Sequence, residues 1–527
     1  ILTGSQALEY PLQDMSRQDL GIVLGSLVGL VVFAGWLAGS QRRTSDNYLG
    51  GGRHPAWALG QSLAANQVSA ISLVGAPAFV ALRPGGGLAW LQYEMAVPLA
   101  VACLVVWGVP VLRRAGGAEV YAAVERRLGR GARRTLAGFF LVGRGLGAGV
   151  ILLASARVVS ACSGWSVGAS VIVVGAVAVG YTALGGLIAD VFSDVLQFAL
   201  LWGATAVATV VLWIRLGGGT DALAAVDPSR LAALRFAAHG LGDGSIFGFW
   251  PMLIGGFFLY LSYYGCDQTQ AQRVLAAADE NQARRALAIG ALVRFPLVLT
   301  YCLFGVMLAA FLAATPEFAS LFAERSADDL VPLFLVTYVP VGIVGVVVAG
   351  ILAAALSSVD SAFNSLSAVT LEEFLPADRF EVSRLAWARR ITVGWGVFAM
   401  ASAGWFSGWG ETTIEIVNRV GSALYGPVLA VFVLAWRSRR ADGRSAVAGA
   451  FAGLACNLVL ARFAPGVSWL WWNVLGCAVA LGVGWAFGRA TVEPEPQRAP
   501  ESKGLATVLV AYFVLILLVL LGVTLAV

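Results

Sequence analysis

Charge is scarce in this chain. Only 12% of its 527 residues are Asp, Glu, Lys or Arg, against 59% hydrophobic residues and a mean hydropathy of +0.80. Little of such a chain can face water, which excludes a string of soluble domains. Histidine is scarcer still, with only His54 and His239, both in expected loops. A zinc or haem centre held by histidine, and an enzyme built on a histidine base, therefore have almost nothing to work with. The six cysteines, at 103, 162, 266, 302, 456 and 477, form no C-x-x-C pair and read as small membrane-helix residues. A solvent-facing basic domain is also missing. The net charge of +5, almost wholly arginine, therefore does not point to nucleic acid.

What is present is a succession of apolar runs, each long enough to cross a bilayer as a helix of ~20 residues. The expected spans are 19–39, 55–82, 88–112, 135–160, 165–189, 191–215, 248–271, 287–314, 335–369, 386–406, 411–436, 445–463, 469–488 and 505–526. This is an all-α polytopic membrane protein of about 14 transmembrane helices. The arginines gather in alternate connections, most densely in RRAGGAEVYAAVERRLGRGARR (113–134). The positive-inside rule makes those connections cytoplasmic, places both termini outside and points to the plasma (inner) membrane. Anionic lipid suffices as the partner of that basic face, and no obligate protein partner is evident. Residues 1–18 are expected to be an extracellular N-terminal tail, partly an expression remnant. Loops 216–247 and 315–334 should cap the outer mouth, and 489–504 is a polar linker.

Three stretches interrupt the apolar pattern. In AAALSSVDSAFNSLSAVT (353–370), Ser357, Asp360, Ser361 and Asn364 fall at i, i+3, i+4 and i+7 and share a helix face. An ionisable group at membrane depth is costly unless paired, and hydroxyls beside a carboxylate offer oxygens to a small hard cation, read here as sodium. LGQSLAANQVSAISLVG (59–75) and SYYGCDQTQAQR (262–273) put polar clusters in spans that would otherwise be greasy. Interrupted helices at corresponding places in two halves point to an inverted-repeat transporter with its site near the midplane. Four arginines, Arg144, Arg157, Arg294 and Arg419, fall inside spans. A guanidinium keeps its proton, so at depth it needs an anion, unless it snorkels to an interface as Arg157 is placed to do.

Taken together, SLAANQVSAISLVGAP, GYTALGGLIADVFSDVLQ (180–197), YYGCDQTQAQRVLAA and AAALSSVDSAFNSLSAVT resemble the sodium/solute symporters. That family includes bacterial galactose and sialic-acid transporters and animal glucose and iodide cotransporters. The resemblance runs over roughly residues 48–436. It implies a leucine-transporter-type fold with five-helix inverted repeats at 55–215 and 248–436, a peripheral helix at 19–39 and peripheral C-terminal helices in 445–526. It also implies a first sodium site made by the carbonyls of Ala65, Val68 and Ala354 with the hydroxyls of Ser357 and Ser358. A second sodium site of the sialic-acid type would use Asp194, Ser357, Asp360 and Ser361. Asp360 stands there in place of a hydroxyl, so it tightens sodium binding, accepts a proton or pairs with an arginine such as Arg273.

For the solute, the resemblance places Gln67, Ser69 and Ser72 on the interrupted first span, Tyr93 and Glu94 on the next, and Tyr263, Arg294 and Arg419 on later ones. Arg144 matches the arginine by which sialic-acid transporters hold a carboxylate. The galactose-type Glu-Gln pair is replaced by Ile71 and Ser72. The expectation is sodium-coupled import of a carboxylate-bearing solute such as a sugar acid. A neutral sugar or polyol is the alternative. A ligand-sensing receptor built on the same fold would usually carry an output domain, and none is recognised.

Overall fold

The computed structural model describes residues 15–38, 54–115, 120–218, 224–375, 384–409, 412–489 and 503–526. Almost everything regular in them is helix. Residues 1–14 of the expected tail 1–18 and residues 490–502 of the expected linker 489–504 lie outside the described residues.

The bundle is organised around the helix Ile343–Phe374. Its apolar window is 89% buried, whereas that of the terminal helix Lys503–Leu525 is only 17% buried. A helix buried on all sides is a bundle centre, and one apolar yet uncovered faces lipid. Around the central helix pack Arg17–Ala38, Ala122–Ser163, Val167–Arg215 and Arg384–Phe406. Small residues set how closely they approach. A Cβ on Gly350 would come within 2.7 Å of Ala204 Cβ and 3.0 Å of the Leu200 carbonyl oxygen, so glycine lets the Val167–Arg215 helix lie directly on the centre.

The first interrupted span is two helices, Ala56–Gln67 and Ala70–Leu82, with extended backbone at Val68 and Ser69. The halves are bent by 52°. Ser69 caps the second half, its Oγ accepting from Ile71 N at 3.2 Å. The second interruption has the same construction: Gly256–Cys266 ends at Asp267, whose carboxylate accepts from Thr269 N at 2.8 Å and starts Gln268–Leu275. Short polar caps are therefore what the two polar clusters supply.

Several expected boundaries move. The span 335–369 crosses a real break, because Leu330–Tyr338 ends before Gly342, whose φ of 88° suits glycine, and the central helix begins at Ile343. The spans 165–189 and 191–215 fall on the stretch Val167–Arg215 as Val167–Ala183 and Val191–Arg215, and Tyr181 OH donates to Ser193 Oγ at 2.5 Å, a contact across twelve residues that a straight helix could not make. Among the described residues nine helices are long and apolar enough to span, or ten with the bent pair counted once. Other expected spans fall on helices that are split, as at Asp267, or shorter, as Val167–Ala183.

Both long loops close over one end of the bundle. Arg230 donates to the carbonyls of Val80 and Arg83 at 3.1 and 3.2 Å, and Asp328 accepts from Thr413 N at 3.0 Å. On the same face Arg83 pairs with Glu415 at 2.9 Å.

Candidate functional site

At the C-terminal end of Ala56–Gln67 the Val68 N–H closes the helix on the Ala64 and Ala65 carbonyls at 3.2 and 3.1 Å, and the helix dipole presents partial negative charge beyond them. The central helix brings Ser358 to that end, where its Oγ donates to the Asn66 carbonyl at 3.3 Å. Ala65, Val68, Ala354, Ser357 and Ser358 are all buried there. Hydroxyls and backbone carbonyls without a formal charge fit a monovalent cation better than a transition metal. No group of three His, Cys, Asp or Glu side chains suited to a metal occurs among the described residues.

Next to this lies a denser polar cluster. Asp194, from Val167–Arg215, accepts from the hydroxyls of Ser62 and Ser357. Arg273, from Gln268–Leu275, donates through Nη2 to Asp194 at 3.0 Å and to Ser361 Oγ at 2.6 Å. Its Nε donates to Ser62 Oγ at 2.6 Å and its Nη1 to the Thr269 carbonyl at 2.8 Å. Arg273 and Asp194 are completely buried, and Asp360 is buried on the same helix face. The residues expected to hold a second sodium thus come together, and an arginine stands among them.

Beyond the break opens a cavity of about 130 Å³ lined by polar groups from both interrupted spans. Gln67, Ser69, Ser72, Tyr93, Glu94, Arg144, Tyr263 and Arg294 all line it. Arg419 does not; the neighbouring Asn418 takes its place and accepts from Tyr93 OH at 3.3 Å. Tyr260, Tyr301 and Tyr425 complete an aromatic wall that sequence reading left out. Behind the wall Tyr264 donates to the cavity residue Gln67, tying one interrupted span to the other. Gln270 Nε2 donates to Tyr263 OH at 2.9 Å and fixes that ring beside the cavity.

The two cavity arginines differ. Arg294 is neutralised: its Nε and Nη2 donate to the two oxygens of Glu94 at 2.8 and 3.0 Å. This bidentate pair is buried and braced by Tyr260 OH on Glu94 at 3.3 Å. Arg144 instead donates to a neutral acceptor, the Asn66 side-chain oxygen at 3.0 Å, and makes no ion pair among the described residues. Its Nε is buried without a partner, as are Asn66 Nδ2, Arg294 Nη1 and Tyr301 OH, all belonging to cavity-lining residues. Asp267 and Arg144 together line a separate, smaller cavity of about 50 Å³, within electrostatic reach of each other but without an ion pair. A larger cavity of about 260 Å³ beside Arg17–Ala38 is lined almost wholly by apolar side chains and lacks such convergence.

The sodium:solute symporter family model matches residues 47–453. This chain belongs to the sodium:solute symporter family. It is 26% identical over 492 residues to the sodium/sialic acid symporter NanT of Aliivibrio fischeri, covering 89% of this chain and 94% of that one. It is 27% identical to the human sodium/iodide cotransporter, covering 82% of this chain and 67% of that one. Against human sodium-coupled monocarboxylate transporter 1 the identity is 28%, over 83% of this chain and 71% of that one. A solved substrate-bound, outward-open Na⁺-coupled sialic acid symporter superposes with a TM-score of 0.79 at 20% identity, covering 90% of this chain and 98% of that one. Mhp1, a nucleobase-cation-symport-1 family transporter, follows at 0.53 and 14% identity, over 84% and 94%. The fold is of the leucine-transporter type. The chain is an integral membrane protein of a family that couples solute movement to sodium, and its relatives are transporters rather than enzymes.

Proposed function

We propose that this symporter imports a small carboxylate-bearing solute, such as a sugar acid, by alternating access across the inner membrane with both termini outside. The carrying observation is Arg144: a guanidinium at membrane depth beside a cavity, bonded to a neutral amide while its neighbour Arg294 is already paired. A charge so placed takes an anion, and a carboxylate matches its fork. The second half of the interrupted span adds to this, since the N-terminus of Ala70–Leu82 carries positive dipole charge beside Ser69 and Ser72. Sodium would sit at the opposite half-helix end, held by the Ala65, Val68 and Ala354 carbonyls and by Ser357 and Ser358. Binding the cation at the break steadies the segment that lines the solute cavity, which links the two ligands. Residues 55–215 and 248–436 serve as the two inverted repeats. Relatives named for iodide, monocarboxylates and sialic acid all handle anions.

The neutral-sugar reading loses its main acceptor. Both oxygens of Glu94 are occupied by Arg294, with Tyr260 sharing one of them. A thermal-shift screen of sugar acids, short monocarboxylates and neutral sugars, with and without sodium, tests the proposal. Carboxylates should raise the melting temperature only when sodium is present. Equal stabilisation by neutral sugars would remove the anion from the proposal.

A further inference from the structure

The cluster around Asp194 has the oxygens that a cation would need, and Arg273 already uses them. Its guanidinium is fully buried and reaches four helical segments. It bonds Ser62 on the first half-helix, Asp194 on Val167–Arg215, Ser361 on the central helix and the Thr269 carbonyl on its own helix. Every one of these contacts lies between 2.6 and 3.0 Å, the range of charge-assisted hydrogen bonds. A guanidinium cannot be discharged inside a protein, and a buried charge persists only when paired.

We infer that Arg273 stands in place of a second sodium ion, so that the transporter binds one exchangeable cation per cycle. This rests on the proposed sodium-coupled reading. A second cation entering the cluster would have to displace the guanidinium or share Asp194 with it. In a medium of low dielectric two like charges on one carboxylate repel strongly. Asp194 and Asp360 are both buried. The place left for an exchangeable cation is the Ser357–Ser358 end of the broken helix. Ser357 joins the two places, since its hydroxyl reaches Asp194 from the residue next to Ser358. One sodium with one monovalent anion carries no net charge, so the membrane potential would neither drive nor oppose uptake of a monocarboxylate.

Equilibrium binding of ²²Na⁺ to the full-length protein in detergent, without solute, tests this directly. The wild type should bind one ion per chain with a Hill coefficient near one. Arg273→Gln, which leaves both carboxylates and removes the fixed cation, should bind two. Ser358→Ala should lose the single wild-type ion. Two ions on the wild type, or one on a folded Arg273→Gln protein, overturns the inference. If that variant does not fold, the wild-type count alone decides. A wild type that binds no sodium contradicts the sodium-coupled reading itself, a separate result from a count of two.

Discussion

Arg144 and Arg273 are both guanidinium groups held among transmembrane helices, yet their surroundings differ. Arg273 is enclosed by protein oxygens, including the Asp194 carboxylate, and has no exposed surface. Arg144 has a neutral amide oxygen, an unpartnered Nε and an open cavity in front of it. Where the protein supplies the countercharge, the group ties helices together. Where it forms no ion pair with one, as at Arg144, the proposed solute would bring it. Arg294 confirms the distinction inside the cavity itself, because Glu94 satisfies it before any solute arrives.

The comparison can be broken most severely at the proposed cation site. Replacing both Ser357 and Ser358 with alanine should reduce sodium-driven uptake in proteoliposomes to its sodium-free background, with the helical circular-dichroism signal kept. Retained sodium dependence would move the ion elsewhere.

Next in size is the built-in pair. Glu94→Gln leaves Arg294 buried without its anion, a change that typically costs about 3–5 kcal/mol. The melting temperature should fall clearly, and adding Arg294→Met should restore much of it. No loss in the single variant would mean that the pair contributes little.

Arg144→Gln should act differently. It removes a charge that forms no ion pair, so stability should fall far less than for Glu94→Gln while affinity for a carboxylate solute falls about tenfold or more, or about 1.4 kcal/mol. A stability loss without an affinity loss would make Arg144 a structural residue like Arg273.

The smallest effect concerns His54, just before the first half-helix. Burial, and then the nearby charge of Arg273, lower its pKa from 6.5 to about 4. The folded state therefore keeps it neutral while the unfolded chain takes up a proton below pH 6.5. Stability from this group is complete above pH 6.5 and declines as pH falls toward 4. His54→Gln should flatten the melting-temperature profile between those values, and an unchanged profile would assign the decline to other groups.

The elements that govern their own neighbourhoods were readable from the chain. The polar runs at 59–75 and 262–273 become the two broken helices because Ser69 and Asp267 cap locally. The Ser357–Ser361 face was legible from helical spacing alone. What depended on distant packing was not. Arg273 meets Asp194 across 79 residues of sequence, which no spacing rule encodes. The exchange of Arg419 for Asn418 is a rotation of about 100° on one helix, smaller than the error of any register set by hydropathy. The tyrosine wall was hidden because aromatic residues in apolar spans look like ordinary core until a cavity shows which hydroxyls face it.

The most direct trial of the anion claim compares a transported carboxylate with its own carboxamide, matched in shape but lacking the charge. Wild-type protein in liposomes under an inward sodium gradient should accumulate the acid at least about tenfold faster than the amide, and Arg144→Gln should erase that preference. Equal uptake of the two by the wild type would contradict the assignment of Arg144 as the carboxylate's partner.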